Sequence, residues 1–487
     1  MSEKVTLTSA RKVMLEVLPA STSPHGETPE PRFVYLPASH TKALDPNVQV
    51  VVGMRGAGKS FWWGALQEES LRRLIAGRAE ALRAFEHAEV YVGFGERSNP
   101  DRYPGRDILA GLLNDGYEPY LIWRTVVLHA LSKGDSNVVG EGSDWISRVA
   151  YVKAHPEAAE RFLHELDHRL EAQNRYALVL FDALDRSARD WKQMHSLIRG
   201  LLENALELRP YRRLRLKCFL RSDQLDERSV ADFPDASKVL SEKVELSWPY
   251  RELYAMLFQY LGNAKDESFR REVEARFGHR WEKVEGVFLP PKPLIRDEEE
   301  QREVFHAIAG PWMGRDRRRG FPYTWVPGHL ADAHGRTSPR SFLAALRKAA
   351  EDTRDRYPEH NYALHYESIK RGVQHASEIR RGELREDYPW VDVLLEPLKG
   401  MVVPIAFEDI AAVWDKQNVL DKLQRDSTGG RLPPAHLEDG AEGLRRDLED
   451  LGIFLRMKDG RVNIPDVFRV AYGLGRKGGV RPLRRTK

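Results

Sequence analysis

An α/β fold built on a parallel sheet, followed by helical regions, is predicted by three features of this 487-residue chain. Short runs that are β-branched or nearly all apolar recur at Val48 to Val52, Glu89 to Phe94, Tyr176 to Phe181, Leu214 to Leu220 and Val244 to Leu246. Runs of this kind read as strands, the all-apolar ones as strands covered on both faces. Segments of helical periodicity stand between them, at Tyr120 to Leu131, Pro156 to Ala172 and Trp191 to Leu208. Strands alternating with helices imply a parallel sheet with helices on its two faces. After Trp248 the pattern changes to helices, with amphipathic stretches at Tyr250 to Leu261 and Arg340 to Thr353.

Composition sets the outer limits. Charged residues make up 31% and hydrophobic residues 41%, an ordinary globular balance. A chain of this length divides into two to four domains. The net charge of +3 is too close to zero for bulk electrostatics to draw the chain to nucleic acid. A single cysteine, Cys218, excludes an intramolecular disulfide and a cysteine-rich metal site. It sits in the apolar run Leu216 to Leu220, which predicts a buried, inert thiol. The first fifteen residues lack the apolar core of a signal peptide, and no run is long enough to span a bilayer. The expected compartment is the cytoplasm, with no membrane partner.

Four regions follow from these patterns. Residues 1–45, rich in Ser, Thr, Pro and His, read as a loosely structured lead-in, and residues 46–250 hold the sheet. Residues 251–380 form a helical region interrupted by Leu289-Pro290-Pro291-Lys292-Pro293 and by the charged stretch Gly314 to Gly320, which reads as a solvated or interaction loop. From about Arg381 to Lys487 lies a third region. There Trp390 to Leu398, Phe407 to Leu423 and Gly440 to Leu451 look helical, and Ile453 to Met457 and Arg461 to Ile464 flank a Lys458-Asp459-Gly460 turn. No internal repeat is present.

The chemistry is concentrated after the first strand, in Gly53-Met54-Arg55-Gly56-Ala57-Gly58-Lys59-Ser60. Glycines at 53, 56 and 58 let the backbone turn its N–H groups toward phosphate oxygens. Lys59 is placed to neutralise β and γ phosphates, and Ser60 to offer a hydroxyl to Mg²⁺ at a helix N-terminus. Strand before and helix after distinguish a phosphate loop from a chance glycine cluster. The predicted nucleotide contacts are therefore Gly53, Arg55, Gly56, Ala57, Gly58, Lys59, Ser60 and Phe61, and the predicted cofactors are ATP and Mg²⁺. Trp62 and Trp63 are expected to pack the first helix onto the sheet.

A phosphate loop needs a carboxylate to orient the metal, delivered from the end of another strand. Ala177 to Phe181 ends in Asp182, and Asp185 follows in Asp182-Ala183-Leu184-Asp185-Arg186. Ser60 and Asp182 are thus the candidate metal ligands. The next strand ends in Arg221-Ser222-Asp223. Two readings of Arg221 stay open: a sensor of the terminal phosphate, because neighbouring strands open into one crevice, or a plain surface arginine.

The order of phosphate loop, Asp182 strand, Arg221 strand and helical region resembles the AAA+ and STAND branches of P-loop ATPases. The segment LFDALDR resembles the acid-rich segment of KAP-type STAND proteins, and Thr337-Ser338-Pro339-Arg340-Ser341-Phe342 resembles the start of a lid helix. The resemblance implies an ATP-binding switch with a helical lid, in which Asp182, Asp185 and Arg221 act in hydrolysis and Arg340 contacts nucleotide. It implies nucleotide-dependent homo-oligomer assembly or capture of a protein effector, in bacterial signalling or antiphage defence. One departure is Ala183, where many relatives carry a second acid. Either Asp185 substitutes for it, or hydrolysis is slow.

Residues 407–464 resemble a winged helix, which in DNA-loading initiators would bring Arg445, Arg446, Lys458 and Arg461 to a duplex. A basic tail, Arg476, Lys477, Arg481, Arg484, Arg485 and Lys487, would add a flexible arm. The alternative is a protein-contact surface, since Glu442, Asp447, Glu449 and Asp450 share the helix. Finally, His164-Glu165-Leu166-Asp167-His168 spells a zinc-protease motif. With Asp167 inside it, Arg169 after it and no third ligand following, an exposed helix face is the expectation.

Overall fold

The computed structural model describes residues 6–20, 28–225, 227–426, 432–477 and 480–482. The chain divides into two compact units, one holding residues 24–31 and 38–247, the other residues 1–23, 32–37 and 248–487.

The first unit is the expected parallel-sheet phosphate-loop core. Its strands are β1 (Val50–Val52), β2 (Glu89–Phe94), β3 (Ala177–Phe181), β4 (Leu214–Leu220) and β5 (Val244–Glu245). All pairings are parallel, in the order β2-β3-β4-β1-β5. Every residue of β1 and β3 is buried, as strands covered on both faces require. Register pairs Val52 with Leu220 and Phe181 with Cys218. The residues that follow, Gly53, Arg221 and Asp182, therefore leave the sheet from one edge. Cys218 is fully buried, and burial pushes its thiol far up, so it is inert as expected.

One lysine inside this sheet had no sequence expectation. Lys217 on β4 is completely buried, and its ammonium donates to the carbonyls of Ala43 (2.8 Å), Asp45 (2.9 Å) and Val48. Burial pulls its pKa down to about 7. Three carbonyl acceptors satisfy all three of its donors and tie β4 to the segment entering β1.

The second unit is mostly helical. Helices Tyr250–Gly262, Glu298–Ala309, Pro339–Arg356 and Tyr366–Asp387 supply much of its core, which includes Tyr254, Phe305, Phe342 and Val373. The described residues of the 1–45 stretch are not the loosely structured lead-in that their composition suggested. Ser9–Val17 is a helix whose Ala10, Val13 and Met14 are fully buried in this same core. Arg11 holds it down by donating to the carbonyls of Pro358, Tyr362 and Ala363 at 2.9–3.0 Å. The boundary placed at Arg381 is also displaced, since that residue lies inside the helix Tyr366–Asp387.

The C-terminal portion of this unit follows the winged-helix order. Helices Phe407–Lys416, Val419–Asp426 and Gly440–Asp450 precede an antiparallel pair, Leu455–Arg456 with Val462–Asn463. The basic tail is not a free arm where it is described. Gly475–Arg476 pairs with Val402–Val403, and Val480 is 2% exposed with its carbonyl bound by Arg469. Arg484, Arg485 and Lys487 lie outside the described residues. No described helix is long and apolar enough to cross a membrane.

Candidate nucleotide site

The loop after β1 takes the shape that a phosphate cradle requires. Gly56 and Gly58 have φ of +79° and +103°, a region side chains rarely adopt. Gly58 then caps the helix Lys59–Gln67, whose first N–H groups open toward the loop. A Cβ on Gly53 would come within 3.2 Å of that of Ala57, a tight contact that would press on the cradle. Lys59 reaches back across the loop and donates to the carbonyls of Gly53 (2.7 Å) and Met54 (3.0 Å). Arg55 and Phe61 lie partly exposed on either side of Ala57, which is buried.

Asp182 enters from the end of β3, 6% exposed, with its backbone N–H on the carbonyl of Phe94 at 3.1 Å. Burial raises the pKa of its carboxylate, opposed by the polar groups of Ser60 and Ala183 and by the Lys59 charge nearby. Desolvation likewise lowers Lys59 to about 8, opposed chiefly by Asp182. Both charges are thus held in a poorly solvated place, where an added phosphate or cation is felt strongly. Ser60 and Asp182 present adjacent oxygens, the donor set a hard cation such as Mg²⁺ takes, and the chemistry fits that ion.

Ala183 carries a second mark of the site. Its φ of 56° places a residue with a side chain in the left-handed region, which costs about 1–2 kcal/mol. Strain of this kind persists where the surroundings over-determine it. Here the reversal turns the chain sharply into Leu184–Arg186 and keeps Asp185 in the crevice.

Arg221 is not a plain surface arginine: it is 8% exposed and shared between two acids. Its guanidinium lies 3.8 Å from Asp185 and 3.4 Å from Asp223. Arg221, Asp185 and Asp223 all act on the Lys59 charge. The structure therefore gathers Lys59, Ser60, Asp182, Asp185 and Arg221 at one sheet edge. Asp223 joins them without having been assigned a role; its position three residues past the strand end was the available signal. Arg340 belongs to the other unit, at the start of the helix Pro339–Arg356, where it pairs with Glu383 at 2.8 Å.

The phosphate-loop helix is pinned from behind by a contact with no sequence signal. Trp62 is buried, and its indole N–H donates to His40 Nδ1 at 3.0 Å. The other imidazole nitrogen must then carry the hydrogen, which goes to the carbonyl of Ser247 at 3.1 Å. Burial pushes His40 down to about 4, so the ring stays neutral in the fold. In the unfolded chain it titrates near 6.5, so between those values only the unfolded state takes up the proton. Stability is therefore present above pH 6.5 and is lost as pH falls toward 4. His40→Gln is expected to lose about 2 kcal/mol less than the parent chain between pH 7 and pH 5. Denaturant unfolding followed by tryptophan fluorescence reads this, and equal losses in both proteins would refute the coupling.

The zinc-protease spelling yields no site. His164 and His168 are exposed, with their Nε2 atoms 3.2 Å apart, and Asp167 accepts the backbone N–H groups of Arg212 and Arg213. Among the described residues, the one group of three or more potential metal ligands is His436, Asp447 and Asp450. There Asp447 already accepts from His436 at 2.6 Å.

No protein-family model matches the chain, and no curated protein matches it. Among solved structures, the ORC2 protein of Aeropyrum pernix in ADPNP–ADP complexes is similar at 15% identity and a TM-score of 0.37, over 90% of this chain and 93% of that one. Cdc6p of Pyrobaculum aerophilum gives 10% identity and a TM-score of 0.33, over 95% of each chain. The ADP form of the Aeropyrum ORC2 protein gives 13% and 0.30, over 94% and 93%. Similarity of this size supplies no residue correspondence, and the site stands on its own atoms.

Proposed function

We propose that the chain is an ATP-binding and slowly ATP-hydrolysing molecular switch, with nucleotide held at the edge of the parallel sheet. The observation that carries this reading is the loop after β1, with Gly56 and Gly58 at positive φ and Lys59 folded back onto the carbonyls of Gly53 and Met54. In this reading the backbone from Gly53 to Phe61 wraps the phosphates and Lys59 exchanges its loop carbonyls for phosphate oxygens. Mg²⁺ bound at Ser60 and Asp182 would supply charge neutralisation. Asp185 orients the attacking water in place of an acid at position 183. Arg221 leaves Asp185 and Asp223 for the terminal phosphate. Nucleotide state then governs assembly or the capture of a protein effector, as in STAND-type signalling or antiphage defence.

Lys59→Ala is the direct test. Losing the ammonium is expected to weaken ATP binding at least tenfold, about 1.4 kcal/mol. Calorimetric titration with ATP and Mg²⁺ measures it, and equal affinity in both proteins would sink the phosphate-loop assignment.

A second reading, a DNA-loading or DNA-remodelling ATPase of initiator type, is favoured by the helix and hairpin order of residues 407–464. Its cations are less free than the sequence suggested. Arg445 is held by Glu442 and Glu449, and Arg461 by Asp459 at 2.7 Å. Duplex affinity unchanged in a Lys458→Gln, Arg461→Gln variant would remove the wing from this reading.

A further inference from the structure

We propose that the loop from Trp312 to Phe321 binds a single nucleic-acid strand, its arginines on the phosphates and its rings on the bases. The inference is independent of the nucleotide site, which lies in the other unit.

The loop is built rather than loose. Met313 is 1% exposed and anchors it in the core, and its N–H donates to the carbonyl of Gly320 at 2.9 Å, closing the loop. Inside, Asp316 caps the short turn Arg317–Arg319 by accepting the N–H of Arg318 at 2.9 Å. The only acid of the segment is thereby committed to the backbone.

What this frame displays is four guanidiniums. Arg315, Arg317, Arg318 and Arg319 are exposed, and among the described residues none of their side chains has a hydrogen bond or an ion pair. Elsewhere surface arginines on helices find acids one turn away, as Arg161 does with Glu157 and Arg271 with Glu267. A short ordered loop that concentrates unneutralised guanidiniums is complementary to a row of phosphates.

The flanks decide which polyanion. Trp312 and Phe321, one at each end of the loop, are 37% and 44% exposed. Phe321 is stacked on His306, which burial holds near a pKa of about 4 and therefore neutral. Trp325 lies beside Gly320 and stacks on His329. Exposed ring faces next to arginines suit unpaired bases, whose π faces are covered in a duplex. Rings beside arginines also suit an anionic lipid interface, so vesicles form a separate arm of the test.

The test uses the full chain and a fluorescein-labelled oligothymidylate, followed by anisotropy across a salt series. Replacing Arg317, Arg318 and Arg319 together by Gln is expected to reduce the salt slope by about 2, at about 0.7 per lost single-strand contact. Trp312→Ala with Phe321→Ala is expected to weaken binding by at least about thirtyfold at unchanged slope, and Trp312→Phe with Phe321→Tyr to restore it. Circular dichroism and thermal unfolding confirm that each variant is folded. The proposal is overturned if affinity and slope survive the arginine changes. It is equally overturned if duplex binds more tightly with no dependence on the rings. Binding to anionic vesicles that disappears with the arginines, while the oligonucleotide is unaffected, would assign the loop to membranes instead. Oligonucleotide binding that is lost only in the Lys458→Gln, Arg461→Gln variant would place the interface on the wing.

Discussion

Asp182→Asn is expected to lower Mg²⁺-dependent ATP hydrolysis by about 10³-fold, equivalent to about 4 kcal/mol of transition-state stabilisation. The substitution keeps the shape of the side chain. Its amide oxygen can still accept from Ser60, and the strand end keeps its backbone bond to Phe94. What disappears is the charge, and with it the ligand that holds a divalent cation beside Ser60. Binding of ATP in the absence of Mg²⁺ is expected to survive, because Lys59 and the loop backbone are untouched. Turnover measured against Mg²⁺ concentration separates the two effects. A variant that reaches the parent rate at high Mg²⁺ would reduce Asp182 to an aid in metal binding, and one with unchanged affinity for Mg²⁺ would remove it from the site.

The second large effect falls on Asp185. Asp185→Asn is expected to reduce hydrolysis by roughly 10²-fold while ATP still binds, the size of effect a positioned acid–base group supplies. The geometry makes this a sharp test, because Asp185 has two possible duties. It touches Arg221 at 3.8 Å, and Asp223 offers the same guanidinium a nearer carboxylate at 3.4 Å. If Asp185 merely restrained Arg221, its removal would leave that restraint largely in place and turnover intact. Normal turnover would thus hand water positioning to another group, or to a partner in trans. A fall in turnover together with weaker ATP binding would point to a general disturbance of the crevice.

The phosphate loop was legible because two independent patterns coincide there, a β-branched run before it and glycines at the positions the turn requires. Asp182 was legible for a similar reason, an apolar strand that ends abruptly in an acid. The helices Pro156–Ala172 and Trp191–Leu208 begin and end where their periodicity does. Strand order is a different matter. Nothing local states that β4 lies between β1 and β3, yet that order is what brings Arg221 between the phosphate loop and Asp182. The helix Tyr366–Asp387 was missed because small residues bury it rather than a broad apolar stripe. A Cβ on Gly372 would overlap the carbonyl oxygen of Ala345, and Ser368, Ser377 and Ala376 complete the same close face. Lys217 and His40 eluded the sequence because their partners are backbone carbonyls and an indole, which carry no compositional signature.

The helix Ser9–Val17 has a consequence for how this chain is made. Its Arg11 bonds to carbonyls that lie 347 to 352 residues further along. A ribosome adding about 5–20 residues per second needs about 20 to 70 seconds to produce them. By the end of that interval residues 38–247 have all been made, while Val13 and Met14 still lack the surface that covers them. Chaperones that hold apolar segments, and proteases that cut them, have that wait in which to meet this helix. A segment made before the sheet is sheltered only well after it.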